Sequence, residues 1–315
     1  MRAILCTRYG PPEVLQLADV PKPAPSDDEV LIRIRATTCH FGDVRVRGAI
    51  LPLWMQVPFR LYMGISGPRR KILGMELSGV VEAVGKAVHR FKTGDAVLAS
   101  SGFSLGSYAE YICLPENAPD YRRGLVVHKP AAMSFAEAAA GLSTGGLSAL
   151  SMLRKADLRP GQRVLIYGAS GSVGVFAVQL ASHFGAKVTG VCSTKNLAMV
   201  QSLGAVDVID YTQNGIESCT DVFDVVLDAV GKLPTYLAQR LTAGSGLHLD
   251  VRKHVGPVRT ITTAELKFLA DLVDEGEIRT YIDREYPLDR IADAHAYVQQ
   301  GHKRGHVVIN VASIP

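Results

Sequence analysis

The chain is short of cysteine, and its cysteines follow no pairing pattern. Cys6, Cys39, Cys113, Cys192 and Cys219 are scattered, odd in number and without C-x-x-C spacing. That excludes a disulfide framework or a cysteine zinc cluster and fits a reducing cytosol. Long apolar runs are also missing. The most apolar stretch, Ala49 to Met63, is interrupted by Pro52, Gln56, Pro58 and Arg60, so no membrane span is expected. Met1 to Cys6 reads as a strand, not as a charged and then apolar signal segment. No helix face is basic. The clusters Arg69-Arg70-Lys71, Arg252-Lys253 and Lys303-Arg304 read first as solvated surface, given a net charge of only +4. Neither nucleic acid nor a membrane is expected as a partner, and no internal repeat is present.

What is present centres on residues 163–184, RVLIYGASGSVGVFAVQLASHF. Val164 to Tyr167 reads as a buried strand, followed by a glycine turn and an amphipathic helix that Gly185 can end. Gly171 would let the backbone approach a pyrophosphate, and Gly174 would let the helix pack closely. The helix N-terminus offers free N–H groups to phosphate. Ala169 stands at the first glycine position of the usual G-x-G-x-x-G. A second strand, Lys187 to Val191, completes a βαβ unit.

Before this unit, to about residue 120, short strands alternate with glycine turns: Met1–Cys6, Val14–Leu17, the Val30-Ile32-Ile34-Ala36 face, Gly79–Val84, Asp95–Ala99 and Tyr108–Ile112. This half reads as a β-rich, barrel-like unit. The apolar connection from Gly48 to Lys71 carries the only tryptophan, Trp54, and reads as a lid or pocket wall, or as packing at an interface. At Ser134 the period changes. A Ser134/Glu137 capping box predicts a long alanine-rich helix, and strands then alternate with helices, at Val208–Ile209, Val225–Asp228 and Leu247–Val251. A Thr262/Glu265 box predicts a helix over about 263–275. The fold class expected is α/β: a discontinuous β-rich domain over 1–128 and 279–315, and a doubly wound parallel-sheet nucleotide-binding domain over 129–278.

The ordered segments YGPPEVLQL, ILGMELSGVVEAVG, FKTGDAV, SYAEY, VLIYGASGSVG, CSTKN, LGAVDVIDY, VVLDAVG and GHKRGHVVI resemble the medium-chain dehydrogenase/reductase superfamily, specifically its zinc-independent quinone oxidoreductase (zeta-crystallin-like) branch. The resemblance covers nearly the whole chain and implies a GroES-like catalytic domain, a Rossmann domain and a homodimer. At the three positions of the catalytic zinc ligands in metal-dependent relatives stand His40, Met75 and Ala140, with Cys39 one place off. Two of these three cannot bind zinc, so no metal is expected.

An NAD enzyme of this fold carries an acid near the end of the second strand. Here the sequence is Val191-Cys192-Ser193-Thr194-Lys195, and Ser193, Thr194 and Lys195 suit a 2′-phosphate, so NADP(H) is expected. Ser193 or Thr194 can equally cap the next helix. The resemblance places Ala169, Ser170, Gly171, Ser172, Val173, Gly174, Ser193, Lys195, Tyr211, Asp228, Ala229, Val230 and His306 at the cofactor, with Thr144 and Ser148 on the nicotinamide side. His306 stands where relatives usually have asparagine. The catalytic candidates are His40, Tyr62 and Thr144. For His40 two readings compete: a hydrogen bond to a substrate carbonyl, and the weightier one, packing with bonds to backbone. Without a metal, the expected acceptors are quinones and α,β-unsaturated carbonyl compounds, reduced in the cytoplasm. Between Leu241 and Thr262 the chain is shorter than the branch pattern. That shortening keeps a second reading, an NADPH-binding sensor, adaptor or structural protein with little turnover.

Overall fold

The structure, a computed structural model, describes residues 1–213, 215–255 and 261–311. Strands β1 (Arg2–Cys6) and β2 (Leu15–Asp19) form an antiparallel hairpin, and β3 (Glu29–Cys39) follows. On β3 the expected alternating face is buried, with Val30, Ile32, Ile34 and Ala36 each at most 2% exposed, while Arg33 points outward. Helices α1 (Phe41–Gly48) and α2 (Leu53–Met63) lead to β4 (Glu76–Val84), β5 (Ala96–Ser100), β6 (Tyr111–Pro115) and β7 (Leu125–His128). The Gly48–Lys71 connection therefore carries an eleven-residue helix. The expected strand at Tyr108–Ile112 lies a few residues later, because the chain at Ala109 bridges only to Ala3 before pairing with β3.

The predicted long helix after Ser134 is three pieces. The Ser134/Glu137 capping box forms, but α3 (Phe135–Ala139) stops after one turn. Gly141 takes φ +85, and a wide turn, Leu142–Gly146, leads into α4 (Leu147–Ala156). Helical geometry already ends at Ala140, and at the bend a β-carbon on Gly141 would stand 1.8 Å from Cε1 of His306, so only glycine fits beside that ring.

From there strands and helices alternate: β8 (Arg163–Tyr167), α5 (Ser172–His183), β9 (Lys187–Cys192), α6 (Leu197–Ser202), β10 (Asp207–Asp210), β11 (Phe223–Asp228), α7 (Thr235–Leu241), β12 (Thr242–Asp250), α8 (Val251–His254) and α9 (Thr263–Asp274). The five strands form a parallel sheet in the order β10-β9-β8-β11-β12. Val164, Leu165 and Ile166 on the central strand are all fully buried, as a strand covered on both faces requires. Val251, expected in the last strand, opens α8 instead. The Thr262/Glu265 box forms and starts α9. The shortened segment noted in the sequence lies partly outside the described residues, at 256–260.

The tail supplies β13 (Ile282–Pro287), α10 (Ile291–Gln299) and β14 (His306–Asn310). β14 pairs antiparallel with β3 and parallel with β13, so this segment joins a seven-stranded sheet in the order β13-β14-β3-β4-β5-β7, with β6 as the seventh strand, paired to β3. The fold is thus a mixed α/β architecture, with a β-rich GroES-like part beside a Rossmann sheet. Ala36, Ala139, Ala140 and Val308 form a small buried cluster where the two parts meet.

Candidate active site

The glycine turn sits between β8 and α5. A β-carbon on Gly174 would come within 2.2 Å of Gly168 O, so α5 packs directly on the turn. One on Gly171 would make only ordinary contacts, with Gly168 O at 3.4 Å and Val230 Cγ1 at 3.9 Å, so nothing packs tightly over this glycine. Gly171 is the N-cap of α5 and makes no side-chain cap, which leaves the first-turn amides of a twelve-residue helix available to an anion. An uncapped helix end whose N-cap glycine is not tightly packed over suits a pyrophosphate. Ala169 is different from its neighbours. It is fully buried, and a β-carbon on Gly190 would lie 3.1 Å from its own, so its methyl group packs in the core against β9. Ser170, Ser172 and Val173 stay half-buried around the opening.

Thr144 and Ser148, one helical turn apart, are half-exposed on a segment whose neighbours are buried. The segment abuts the glycine turn: a β-carbon on Gly145 would stand 2.6 Å from Ser172 O. Behind Thr144 lies Glu76, fully buried, whose Oε2 accepts from Thr38 Oγ1 at 2.6 Å and whose Oε1 accepts from Ser143 Oγ at 3.3 Å. The Thr144 side chain lies near enough to this carboxyl to favour its charged form. Burial pushes the Glu76 carboxyl above the usual range, and nearby His40 and the hydroxyl bonds oppose the rise.

His40 is the N-cap of α1. Its Nδ1 accepts from Gly42 N at 2.9 Å and Asp43 N at 3.3 Å, while Asp43 Oδ2 accepts from His40 N at 3.0 Å. Nδ1 of His40 therefore bonds to backbone, which leaves the question of a substrate contact to its other nitrogen. With Nδ1 an acceptor, the proton is assigned to Nε2, which is buried and has no partner among the described residues. Buried Asp43 is pushed up by desolvation, against the pull of His40. Tyr108, also fully buried, bonds His295 Nε2 at 3.1 Å and fixes α10 beneath this cluster.

The tail closes the site from the other side. The Lys303 ammonium donates to Ser172 Oγ and to Gly305 O, the latter at 2.5 Å, and Gly305 N donates to Ser170 O at 2.9 Å. Lys303 is therefore not solvated surface: as a residue it is half-buried, but its ammonium is enclosed, and that burial pushes its pKa down to about 8. Its neighbour Arg304 pairs with Asp283 and Arg252 with Asp250, so two of the three basic clusters are held by acids or enclosed. His306 is buried, tilted against Phe176 at 5.5 Å, and seated under Gly141. Burial, then the Lys303 charge, hold its imidazole well below the ordinary histidine value.

At the end of β9, Lys195 is exposed and Ser193 half-buried. The sequence shows no acid here, but the fold brings one. Asp210, from the end of β10, accepts from Thr194 Oγ1 at 2.5 Å and from Thr212 Oγ1 at 2.6 Å, bonds that hold its carboxyl below the usual range. Thr194 is thus occupied, and a carboxylate stands beside the expected 2′-phosphate pocket. Asn196 is buried between Ser170 Oγ at 3.0 Å and Ser193 Oγ at 3.1 Å, and links the two turns. Tyr211 is 48% exposed at the same edge.

Asp228 ends β11 buried, its carboxylate accepting from the backbone N–H groups of Val230, Gly231 and Leu233 at 2.7 to 3.0 Å. It builds the turn that sets half-exposed Val230 over Gly168, beside Ala229, at the carboxyl edge of the sheet. Tyr62 lies on the outer side of α2, 69% exposed. Glu76, Lys303, Asn196 and Asp210 are the residues the sequence reading passed over. Only Glu76 carried a signal, as a lone acid inside the apolar run ILGMELSGVV.

Of the three residues aligned above with zinc ligands of metal-dependent relatives, Ala140 is packed in the seam with Val308, and Met75 packs between the two main cores. Among the described residues no group of three or more His, Cys, Asp or Glu is arranged to hold a metal.

Family models match three parts of the chain: "Alcohol dehydrogenase GroES-like domain" over residues 26–119, and "Zinc-binding dehydrogenase" over 172–245 and 248–309. A Solanum lycopersicum protein named 2-methylene-furan-3-one reductase is 33% identical, the match covering 98% of this chain and 79% of the relative. An Arabidopsis thaliana protein named NADPH-dependent alkenal/one oxidoreductase, chloroplastic, is 31% identical with the same coverage. Among solved structures, the quinone oxidoreductase from Coxiella burnetii superposes with a TM-score of 0.80 at 29% identity over 99% of both chains.

Proposed function

The chain belongs to the medium-chain dehydrogenase/reductase superfamily, in its zeta-crystallin-like quinone oxidoreductase branch, and from that premise we propose that this oxidoreductase uses NADPH, without zinc, to reduce quinones or α,β-unsaturated carbonyl compounds. The observation that carries the proposal is the junction at Ser172. There the open glycine cradle, the Thr144 segment and the Lys303 loop meet, while Met75 and Ala140 fill the metal-ligand positions with apolar side chains. The residues fit a dinucleotide: a glycine without tight overlying contacts at Gly171, an uncapped α5 and an enclosed ammonium beside Ser172.

When bound, NADPH supplies the hydride. The chain's own part is positioning and proton placement. Glu76, held by Thr38 and Ser143, lies beside Thr144, the hydroxyl offered at the nicotinamide side. His40 presents Nε2–H, fixed by the N-cap bonds on Nδ1, as a donor to a substrate carbonyl oxygen. Lys303 places positive charge at the first turn of α5. Preference for the phosphorylated cofactor rests on Ser193 and Lys195, with Asp210 opposing. The relatives named for alkenal/one and for quinone reduction support the substrate class.

The five cysteines, all free and none fully exposed, support a reducing compartment. Among the described residues, no helix is long and apolar enough to cross a membrane. The branch implies a homodimer, which light scattering reads directly. The test of the function is loss of NADPH absorbance on mixing purified protein with a panel of quinones and enones. Oxidation with several of them is expected. Tight NADPH binding with no oxidation across the panel would replace this reading with that of a binding protein or sensor.

A further inference from the structure

Among the described helices of more than eight residues, α2 alone buries no residue. One side of it is fastened down. Phe59 meets Tyr9 at 6.0 Å, the Arg60 guanidinium lies over the Tyr9 ring, and Gln56 Nε2 donates to the carbonyls of Ala49 and Leu51. The opposite side is apolar and bare: Leu53 is 89% exposed, Trp54 77%, Val57 67% and Leu61 60%. At the helical repeat these four fall on one stripe about 100° wide. Tyr62 borders it, and exposed Ile65 continues it past the helix end. Contiguous apolar surface of this kind on a folded chain marks a contact with another phase or molecule.

Charge identifies the occupant. From Val44 to Met75 the chain contains no aspartate or glutamate, whereas Arg45, Arg69, Arg70 and Lys71 are all exposed. Arg47, within the same run, is buried on Gln299 and takes no part. An apolar stripe with tryptophan and tyrosine, followed in the chain by exposed cations of which Arg69 is bonded to the helix at Leu61 O, and free of acids in its own segment, complements an anionic lipid surface. A second copy pairing through the same face would bring two cationic segments together. As a lid, α2 would have to release the face already fastened to Tyr9. Eleven residues span only about 16 Å, half of a bilayer core, so the helix lies along a membrane and does not cross it.

We propose that α2 is a membrane-surface anchor that seats Leu53, Trp54, Val57 and Leu61 at the headgroup boundary of an anionic bilayer, with Arg69, Arg70 and Lys71 on lipid phosphates. The proposal stands independently of the reductase reading. It also revises the expectation of no membrane partner, which rested on the absence of a spanning segment.

Trp54 is the only tryptophan and reports on this face directly. With vesicles of phosphatidylcholine and phosphatidylserine, its emission should shift to the blue and the protein should co-sediment. Phosphatidylcholine alone, or high salt, should remove most of the binding. Arg70→Gln/Lys71→Gln should weaken partitioning roughly thirtyfold. Val57→Asp should abolish it while keeping the far-ultraviolet circular dichroism and the thermal transition of the parent, since Val57 touches no core. An unshifted emission and no co-sedimentation with the anionic vesicles would overturn the proposal. So would a shift produced only by concentrating the protein, which assigns the face to a second copy, or only by adding NADPH and a quinone, which assigns it to a lid.

Discussion

Lys303 donates its ammonium to the hydroxyl of Ser172, tying the C-terminal segment of the chain to the first turn of the nucleotide helix. Its pKa, lowered by burial to about 8 from an ordinary 10.5, makes this tie sensitive to alkaline pH. Below about pH 8 the ammonium keeps its charge at the first turn of α5, where the proposed function puts the cofactor phosphates, and above it the charge is lost. The KM for NADPH should therefore rise as pH passes above about 8. Lys303→Met should have a KM roughly tenfold higher at neutral pH and no such rise. The sign for stability is opposite. Between about pH 8 and 10.5 the unfolded chain binds the extra proton, so the buried charge costs the fold stability at lower pH, and the methionine variant should be at least as stable. A variant that unfolds earlier would make Lys303 structural.

Gly141→Ala should destabilise the protein by more than about 2 kcal/mol, since the new methyl group needs both a φ of +85 and the space of the His306 ring. Adding His306→Ala relieves the clash but not the backbone strain, so the double variant should recover part of the loss. Thermal unfolding of the two single variants and the double variant checks this. Purely additive losses would mean that the two residues do not oppose each other.

The Gly141 break also marks where the sequence stops being legible. Local signals read correctly: both capping boxes, the glycine turn with its helix, and the tail strand that returns to β3. Each depends on neighbours within a turn or on a simple period. The helix after Ser134 read as continuous because His306, the ring beside its break, arrives from the far end of the chain. Asp210 was invisible as a cofactor-pocket group for the same reason, since parallel pairing of β10 with β9 brings it to Thr194. Lys303 looked like surface because its enclosure comes from Ser172. Helix α2 was read as a connection because Pro52 and Pro58 break its run.

Lys195→Ala should lower the preference for NADPH over NADH about tenfold, while Asp210→Asn, which removes the opposing carboxylate, should raise it by a similar factor. The ratio of kcat/KM for the two cofactors measures both. An unchanged ratio in Lys195→Ala would leave that lysine as solvated surface, and an unchanged ratio in Asp210→Asn would leave the acid to its threonine bonds alone.

Buried His295, its pKa lowered by desolvation to about 3, should make the fold acid-sensitive before the carboxylates titrate. From about pH 6.5 downward the unfolded chain takes up a proton that folded His295 refuses, so stability falls with pH, by at most about 1.4 kcal/mol per unit. His306 acts in the same direction. Glu76 and Asp43, raised by burial, act in the opposite one lower in the acid range, because the folded state protonates them first. His295→Gln, which can keep the bond to Tyr108, should show a shallower loss of melting temperature between about pH 6.5 and about pH 5. Equal slopes would show that His295 is not the group responsible.

The central claim is that this site passes a hydride from NADPH to an activated carbon–carbon double bond. The direct measurement uses NADPH carrying deuterium at the transferable position of its nicotinamide and an α,β-unsaturated ketone, with the product read by mass spectrometry and NMR. The account predicts a saturated ketone with deuterium on the β-carbon and solvent hydrogen on the α-carbon. Recovered enone with intact NADPH, or a saturated product without the label, would contradict it.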